Sequence, residues 1–412
     1  MKKALFIFIS LFLLASQLWP QETQQSADTT RKDALNVYMD ATDYIKKQIP
    51  YINYVRDRKV ADLNIISTYE QTGSGGSVTT FFLEGQGKYQ GMSDTLKCVT
   101  NPDETYDIRR AKEVKTLKLG LTRYVAKTPL AQFMDVNFNK PLSETVSTDK
   151  WNNWVFRASL NAYTSGQSTY SYGYLYGTIS ANRITEKSKF RSSLGVDFET
   201  DKSKYQDTTY TTNQVMKYGS MTYVKSLSDH WSAGVMSEIQ SDSYSNYKLA
   251  IDVSPGIEYD IFPYTVSTRR ILTIQYKTGM EFNNYEEQTV RFKTNENVGF
   301  HSLSTYFSII QKWGSISSQV SWRNYFFDWS YYRLRFYTST NLRLFKGLSL
   351  NLYGSVAAVH DQISLPAGNA TLEDVLLRRK MQKTEYNYYT SVGFSYTFGS
   401  IYNNAVNPRF DY

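Results

Sequence analysis

The sequence predicts an all-β transmembrane antiparallel barrel of about 12 strands, preceded by a small α/β domain of order α-β-β-β-α. Three observations predict it. From Trp151 to the C-terminus, short segments of alternating polarity follow one another. An apolar stretch, residues 4–15, follows Lys2 and Lys3 in the manner of a secretory signal peptide ending near residue 21. Beyond it no run of about 18 apolar residues occurs, so any membrane crossing must be made by strands closed into a barrel.

Taken in order, the leader is too short in its apolar core to span a bilayer, and no cysteine follows it to carry a lipid anchor. Residues 33–138 read as a separate domain. A helix is expected over 33–48, with Leu35, Tyr38, Ala41 and Ile45 on one face and Pro50 as its stop. Strands are expected at 61–69 and 77–88, joined by the turn Thr72-Gly-Ser-Gly-Gly76, and a weaker one at 94–99. A second helix is expected over 107–125. Ile108, Ala111, Val114, Leu117 and Leu121 form its apolar stripe, and Arg109, Lys112, Lys115 and Lys118 its wet face. Residues 139–150, polar and containing Pro141, read as a linker.

The remaining chain, 151–412, is the predicted barrel. Its clearest strand puts Tyr247, Leu249, Ile251, Val253, Pro255, Ile257, Tyr259 and Ile261 on one face, and Lys248, Asp252, Glu258 and Asp260 on the other. Strands are expected near 151–162, 170–183, 188–199, 214–226, 231–241, 246–261, 269–282, 297–310, 315–326, 331–344, 348–360 and 384–398. The connections then alternate. Loops 200–213, 283–296 and 361–383 are long, whereas 227–230, 311–314 and 345–347 are tight. That asymmetry, long loops outside and short turns in the periplasm, belongs to outer-membrane barrels. Loop 361–383 carries Pro366, Gly368 and an expected short helix over 371–380. It folds over the barrel mouth, dips into it, or packs on its neighbours as a surface loop.

Composition agrees. Mean hydropathy is −0.47 because one face of each strand is wet. Of 35 tyrosines only eight precede Trp151, leaving the rest for aromatic girdles at the bilayer surface. The net charge of +8 is modest and diffuse. It suits an anionic lipid surface that includes lipopolysaccharide, and argues against nucleic acid. The single cysteine, Cys98, excludes an internal disulfide and a thiolate metal cluster. No cofactor site is expected, and Thr72–Gly76 lacks the Lys-Ser/Thr of a phosphate loop.

Catalysis would have to use His230, His301 or His360. His230 falls in a periplasmic turn, and Ser302 points away from His301. His360 beside Asp361 lacks an identifiable nucleophile. Glu286 and Glu287 read as loop charges. By alternation, Arg157, Arg191, Asp197, Glu199, Lys248, Asp252, Glu258, Arg269, Lys277, Glu281, Arg333, Arg335 and Arg343 point into the lumen. Paired, they would occlude it; hydrated, they would line a narrow pore. The arginines of the tenth strand suggest a weak anion preference.

The segments Pro255-Gly-Ile-Glu-Tyr-Asp-Ile-Phe-Pro-Tyr264, Ser267-Thr-Arg-Arg270, Tyr386-Asn-Tyr-Tyr389, Ser395-Tyr-Thr-Phe-Gly-Ser-Ile-Tyr402 and Asn407-Pro-Arg-Phe410 carry a resemblance. With Tyr54-Val-Arg-Asp-Arg-Lys59 and Thr72–Gly76, they resemble a poorly characterised group of outer-membrane barrel proteins from Bacteroidota. The resemblance implies a Gram-negative outer-membrane address with the N-terminal domain in the periplasm. It implies no activity. Asp94-Thr95-Leu96 also resembles the short O-glycosylation acceptor pattern of Bacteroidota. The expected protein is therefore a non-enzymatic barrel, a narrow pore or an envelope scaffold. Its periplasmic domain binds a protein partner or gates the inner mouth. The alternative is an outer-membrane lipid-modifying enzyme.

Overall fold

The computed structural model describes residues 32–73, 75–137, 149–345, 347–368 and 379–400, with Thr371, Asn404 and Arg409. The leader and most of the linker lie outside them, as do residues 372–378 of the helix expected in the last loop. No helix among the described residues is long and apolar enough to cross a membrane.

The small domain contains β1 (Asn36–Tyr38), α1 (Asp43–Gln48), β2 (Asn53–Tyr54), β3 (Leu63–Gln71), β4 (Ser77–Gly85), β5 (Ser93–Thr100) and α2 (Tyr106–Val125). Its sheet has the order β2-β1-β3-β4-β5, with β1 parallel to both neighbours and the rest antiparallel. The helix expected over 33–48 is thus a strand followed by a short helix. Thr42 decides the boundary: its hydroxyl accepts from the Ile45 amide at 3.3 Å, capping α1. Upstream of that cap, Leu35 and Val37 are buried with the period of two that a strand requires.

α2 begins at its cap Thr105 and lays Val114, Leu117, Leu121, Tyr124 and Val125 on Leu63, Ile65, Phe81 and Leu83. Gly120 permits this approach, since a Cβ there would stand 2.3 Å from the Leu96 Cδ1. Ile108 overshoots the sheet and is exposed, which shortens the expected stripe at its start. Cys98 is buried in this core, and desolvation raises the pKa of its thiol.

The larger unit is one antiparallel sheet of 12 strands paired in sequence order. They are β6 (Trp154–Gln167), β7 (Tyr170–Ile184), β8 (Ser188–Tyr205), β9 (Thr208–Ser226), β10 (Trp231–Asp242) and β11 (Tyr247–Asp260). There follow β12 (Arg270–Tyr285), β13 (Asn295–Gln311), β14 (Gly314–Tyr325), β15 (Asp328–Phe345), β16 (Leu348–Val359) and β17 (Tyr386–Tyr396). β6 and β17 are its edges, and among the described residues no ladder pairs them to close the ring. The stretch 200–213, expected as a loop, is instead the end of a hairpin, with Thr200 opposite Asn213 and Tyr205 opposite Thr208. Gln206 turns it at φ 54°. Polar residues on both faces erase the alternation there, although the ladder continues.

Candidate functional site

Residues directly opposite in a ladder share a face, so the register sorts every side chain of the large sheet. Leu160, Ile179, Leu194, Val196, Ile239, Ile251, Val253, Ile257, Ile274, Val320 and Phe336 form an apolar face. Arg157, Arg191, Asp197, Glu199, Asp252, Glu258, Lys277, Glu281, Arg333, Arg335 and Arg343 lie on the other, polar face. Lys248 sits in a register shift between Tyr247 and Leu249. Arg269 stands just before β12, its Nε donating to the Ile310 carbonyl at 3.2 Å.

The polar face converges on a residue absent from the sequence reading, Arg323 of β14. Its Nη2 donates to Glu281, and to Asp252 at 3.3 Å. The guanidinium lies 3.8 Å from the centroid of Phe300, and the Tyr325 hydroxyl donates to Glu281 at 3.0 Å. The signal was present: Arg323 alternates with Val320 and Trp322 inside an expected strand, opposite in charge to the two acids already singled out.

Beside this cluster, at the end of the sheet opposite the small domain, the polar face is covered. Ile363, from the connection between β16 and β17, is fully buried with Val298, Phe300 and Tyr325, three residues of the polar face. The segment is sewn in by backbone and side chains. Val290 N donates to Leu365 O at 2.7 Å, Ala367 N to Gln288 O at 2.7 Å, and Asn246 Nδ2 to Ser364 O at 2.8 Å. Arg333 holds Asp361 at 2.8 Å. Farther along the same connection, Met381 N donates to Tyr244 O at 3.0 Å, and Arg379 Nη2 to the Thr211 carbonyl at 3.0 Å. The connection therefore crosses from the β16–β17 end of the sheet to β9 and β10. The described residues 361–368 of this loop thus pack on the polar face and on the β12–β13 connection.

The opposite end carries the small domain. α2 covers one face of its sheet, and the other face, bearing Phe82 and Glu84, meets the large sheet. Glu84 binds Arg269 at 3.1 Å and Lys312 at 2.7 Å, and Arg269 also stacks over Phe82 at 4.7 Å. Arg343 stacks over Tyr38 at 4.6 Å. The β3–β4 turn reaches β6–β8: a Cβ on Gly75 would stand 3.3 Å from the Arg157 guanidinium, and one on Gly73 would meet Ile184. Asn404 completes the contact by accepting from the Tyr54 amide at 2.6 Å.

Glu84 makes this contact pH-sensitive. Burial raises its pKa, but the hydrogen bonds and charges of Lys312 and Arg269 outweigh that and leave it below the ordinary 4.5. The group is depressed when docked, so its contribution is complete above the ordinary value and is lost as pH falls through the lowered one. Glu84→Gln is expected to weaken docking by about 1 kcal/mol above that range and to flatten the response to acid. Hydrogen exchange of the β4 amides from neutral pH to pH 3 checks both; an unchanged acid response in the variant would exclude Glu84 as its source.

The histidines occupy unrelated places. His230 Nδ1 lies 2.6 Å from the Asp260 carbonyl in a turn at the small-domain end. His301 is on the apolar face, caged by Trp322, Phe326 and Trp329. His360 lies against Tyr332 with the rings tilted by 44°, and the neighbouring Asp361 carboxylate is occupied by Arg333. Glu287 binds Lys380 at 2.7 Å.

No family model matches the chain, and no curated protein matches it. A solved structure of the NanC porin, in a rhombohedral crystal form, is 12% identical with a TM-score of 0.28, covering 58% of this chain and 99% of that one. A likeness at that level carries no argument about residues.

Proposed function

We propose that this chain is a non-enzymatic, gated pore of the outer membrane, held closed at both mouths in the state described. The observation that carries the reading is Ile363, an apolar side chain of the last connection seated among polar-face residues at the mouth opposite the small domain. The small domain covers the other mouth from the periplasm. Each closure uses a different chain segment, so each can open without unravelling the sheet.

The membrane setting follows from the apolar face. Leu160, Ile179 and Leu194 are 73%, 65% and 62% exposed, side by side across three strands. A contiguous face of that kind is costly in water and stable in a bilayer. Trp154, Phe190, Tyr223, Trp231 and Tyr259 gather at the small-domain end of that face, where an interfacial belt belongs. Four arginines make ties within the structure. Arg333 ties the outer segment, Arg343 and Arg269 tie the small domain, and Arg323 neutralises two carboxylates. The closures also favour this reading over a bare scaffold, which has no need of a plug inside its mouth.

The test is single-channel recording in planar bilayers. The full-length protein is expected to be silent apart from brief openings. A form lacking residues 22–150 and carrying Ile363→Asp is expected to give stable, stepwise currents. If that form inserts, is folded and stays silent, the pore reading fails and the envelope scaffold takes its place.

A further inference from the structure

We propose that the apolar face of β6–β10 holds a site for one net-anionic, phosphate-bearing lipid of the outer leaflet, with an acyl chain in a concavity of the sheet and the phosphate, uncompensated by a headgroup cation, on Lys217. The proposal rests on the membrane reading above and adds a ligand to it.

The concavity has a volume of about 780 Å³ and is lined by Leu160, Ile179, Leu194, Val196 and Ile239, with Lys217 at its side. Glycines create the space. A Cβ at Gly177 would stand 3.3 Å from the tip of Leu160, 3.8 Å from the Ser159 carbonyl and 3.9 Å from the Val196 Cγ1, so the bare backbone there deepens the hollow. At Gly219 the neighbours Leu194 and Ile239 lean over the bare backbone.

Lys217 is a charge inside an apolar band. It stands opposite Val196 and Ser241, on the same face as Gly219, Met221 and Tyr223 toward the small domain and Val215 away from it. Past Val215 the face turns polar, with Asn213, Thr211 and Thr209. A lysine on the lipid face costs about 2–4 kcal/mol at the midplane and about 0–1 near the interface. One pleat below the edge, its four-carbon stem can carry the ammonium up to the headgroups.

The charges around it are sorted by face. Lys202 and Lys204 of β8 continue outward on the same face as Lys217, opposite Thr211 and Thr209. The acids of β8, Asp197, Glu199 and Asp201, all point to the polar face, and β9 has none. The result is a lysine stripe running from a greasy hollow to the outer rim with no carboxylate beside it on these strands. A headgroup phosphate above an acyl chain has that shape and the opposite charge.

The experiment reconstitutes the full chain in phosphatidylcholine bilayers doped with spin-labelled phosphatidylglycerol or phosphatidylcholine, and measures the fraction immobilised at the protein. The expected result is a preference for phosphatidylglycerol of about fivefold from Lys217 alone. Lys217→Gln should remove that factor, and Lys202→Gln with Lys204→Gln should lower what remains. Gly177→Leu, which fills the hollow, should reduce the immobilised fraction of both lipids. Equal immobilisation of the two lipids overturns the proposal, as does a preference that survives all three lysine changes. A dimer that excludes labelled lipid from this face also overturns it, in favour of a second copy of the chain. Failure to insert at all is a different result and counts against the membrane reading itself.

Discussion

Arg323→Met is expected to destabilise the sheet by about 2–3 kcal/mol, seen as a lower urea midpoint in detergent micelles. Removing one partner of a buried ion pair leaves its acids uncompensated, at a cost of about 3–5 kcal/mol when burial is complete. The Arg323 side chain retains 31% of its exposure, while Asp252 and Glu281 retain 18% and 13%, so the figure is reduced accordingly. Methionine keeps most of the packing on Phe300 and loses the charge. Lysine keeps the charge but cannot fork to two carboxylates while lying flat on a ring, so Arg323→Lys should recover less than half of the loss. Adding Asp252→Asn and Glu281→Gln to Arg323→Met should restore most of the stability, because the buried charges leave together. A midpoint unmoved by Arg323→Met would mean that the three groups are solvated independently.

Ile363→Asp is expected to expel the segment around it and uncover the polar face at the end opposite the small domain. Ile363 and Phe300 are buried to within 1% of completely, and Ser364 to 2%. Losing an isoleucine from such a site costs about 2–5 kcal/mol, and a carboxylate placed there cannot stay ionised and buried. The segment's hydrogen bonds to Gln288, Val290 and Asn246 are then traded for water, and the strands beneath are left intact. Limited proteolysis of intact cells should cut near residue 363 in the variant and spare the wild type. Because the two closures lie in series, Ile363→Asp alone should remain silent in a bilayer while the small domain is docked. Removal of residues 22–150 alone should also stay silent, and only the combination should conduct. Steady current from either single change would show that the untouched closure does not seal.

Strand positions in the large sheet were legible because burial there repeats every two residues. The expected segment 170–183 and the observed Tyr170–Ile184 differ by one residue, and 246–261 and Tyr247–Asp260 differ by one at each end. The same reading stopped short at 199 and at 214, where the strands run on into water and both faces become polar. Over 33–48 the pattern is ambiguous, since Leu35, Tyr38, Ala41 and Ile45 fit a helical stripe about as well as Leu35 and Val37 fit a strand. Thr42 as an N-cap was the information that separated them. Most of the charged residues assigned to the polar face were readable from alternation alone. Arg323 was passed over although it obeyed the same rule.

Local pattern sufficed for what is periodic: a helix-bearing small domain, and twelve strands with a wet face and a greasy one. Periodicity is a local property, set by two residues per pleat, and it needs no knowledge of distant partners. Contacts distant in sequence emerge only once the chain is folded. Glu84 meets Arg269, Arg323 meets Asp252, and Ile363 enters a mouth built by residues that precede it by as many as 65 positions, Val298 being the farthest in its cluster. Such pairings depend on how the sheet curls and where the small domain comes to rest. No local pattern encodes them, which is why the interior charges could be placed on a face but not matched to partners.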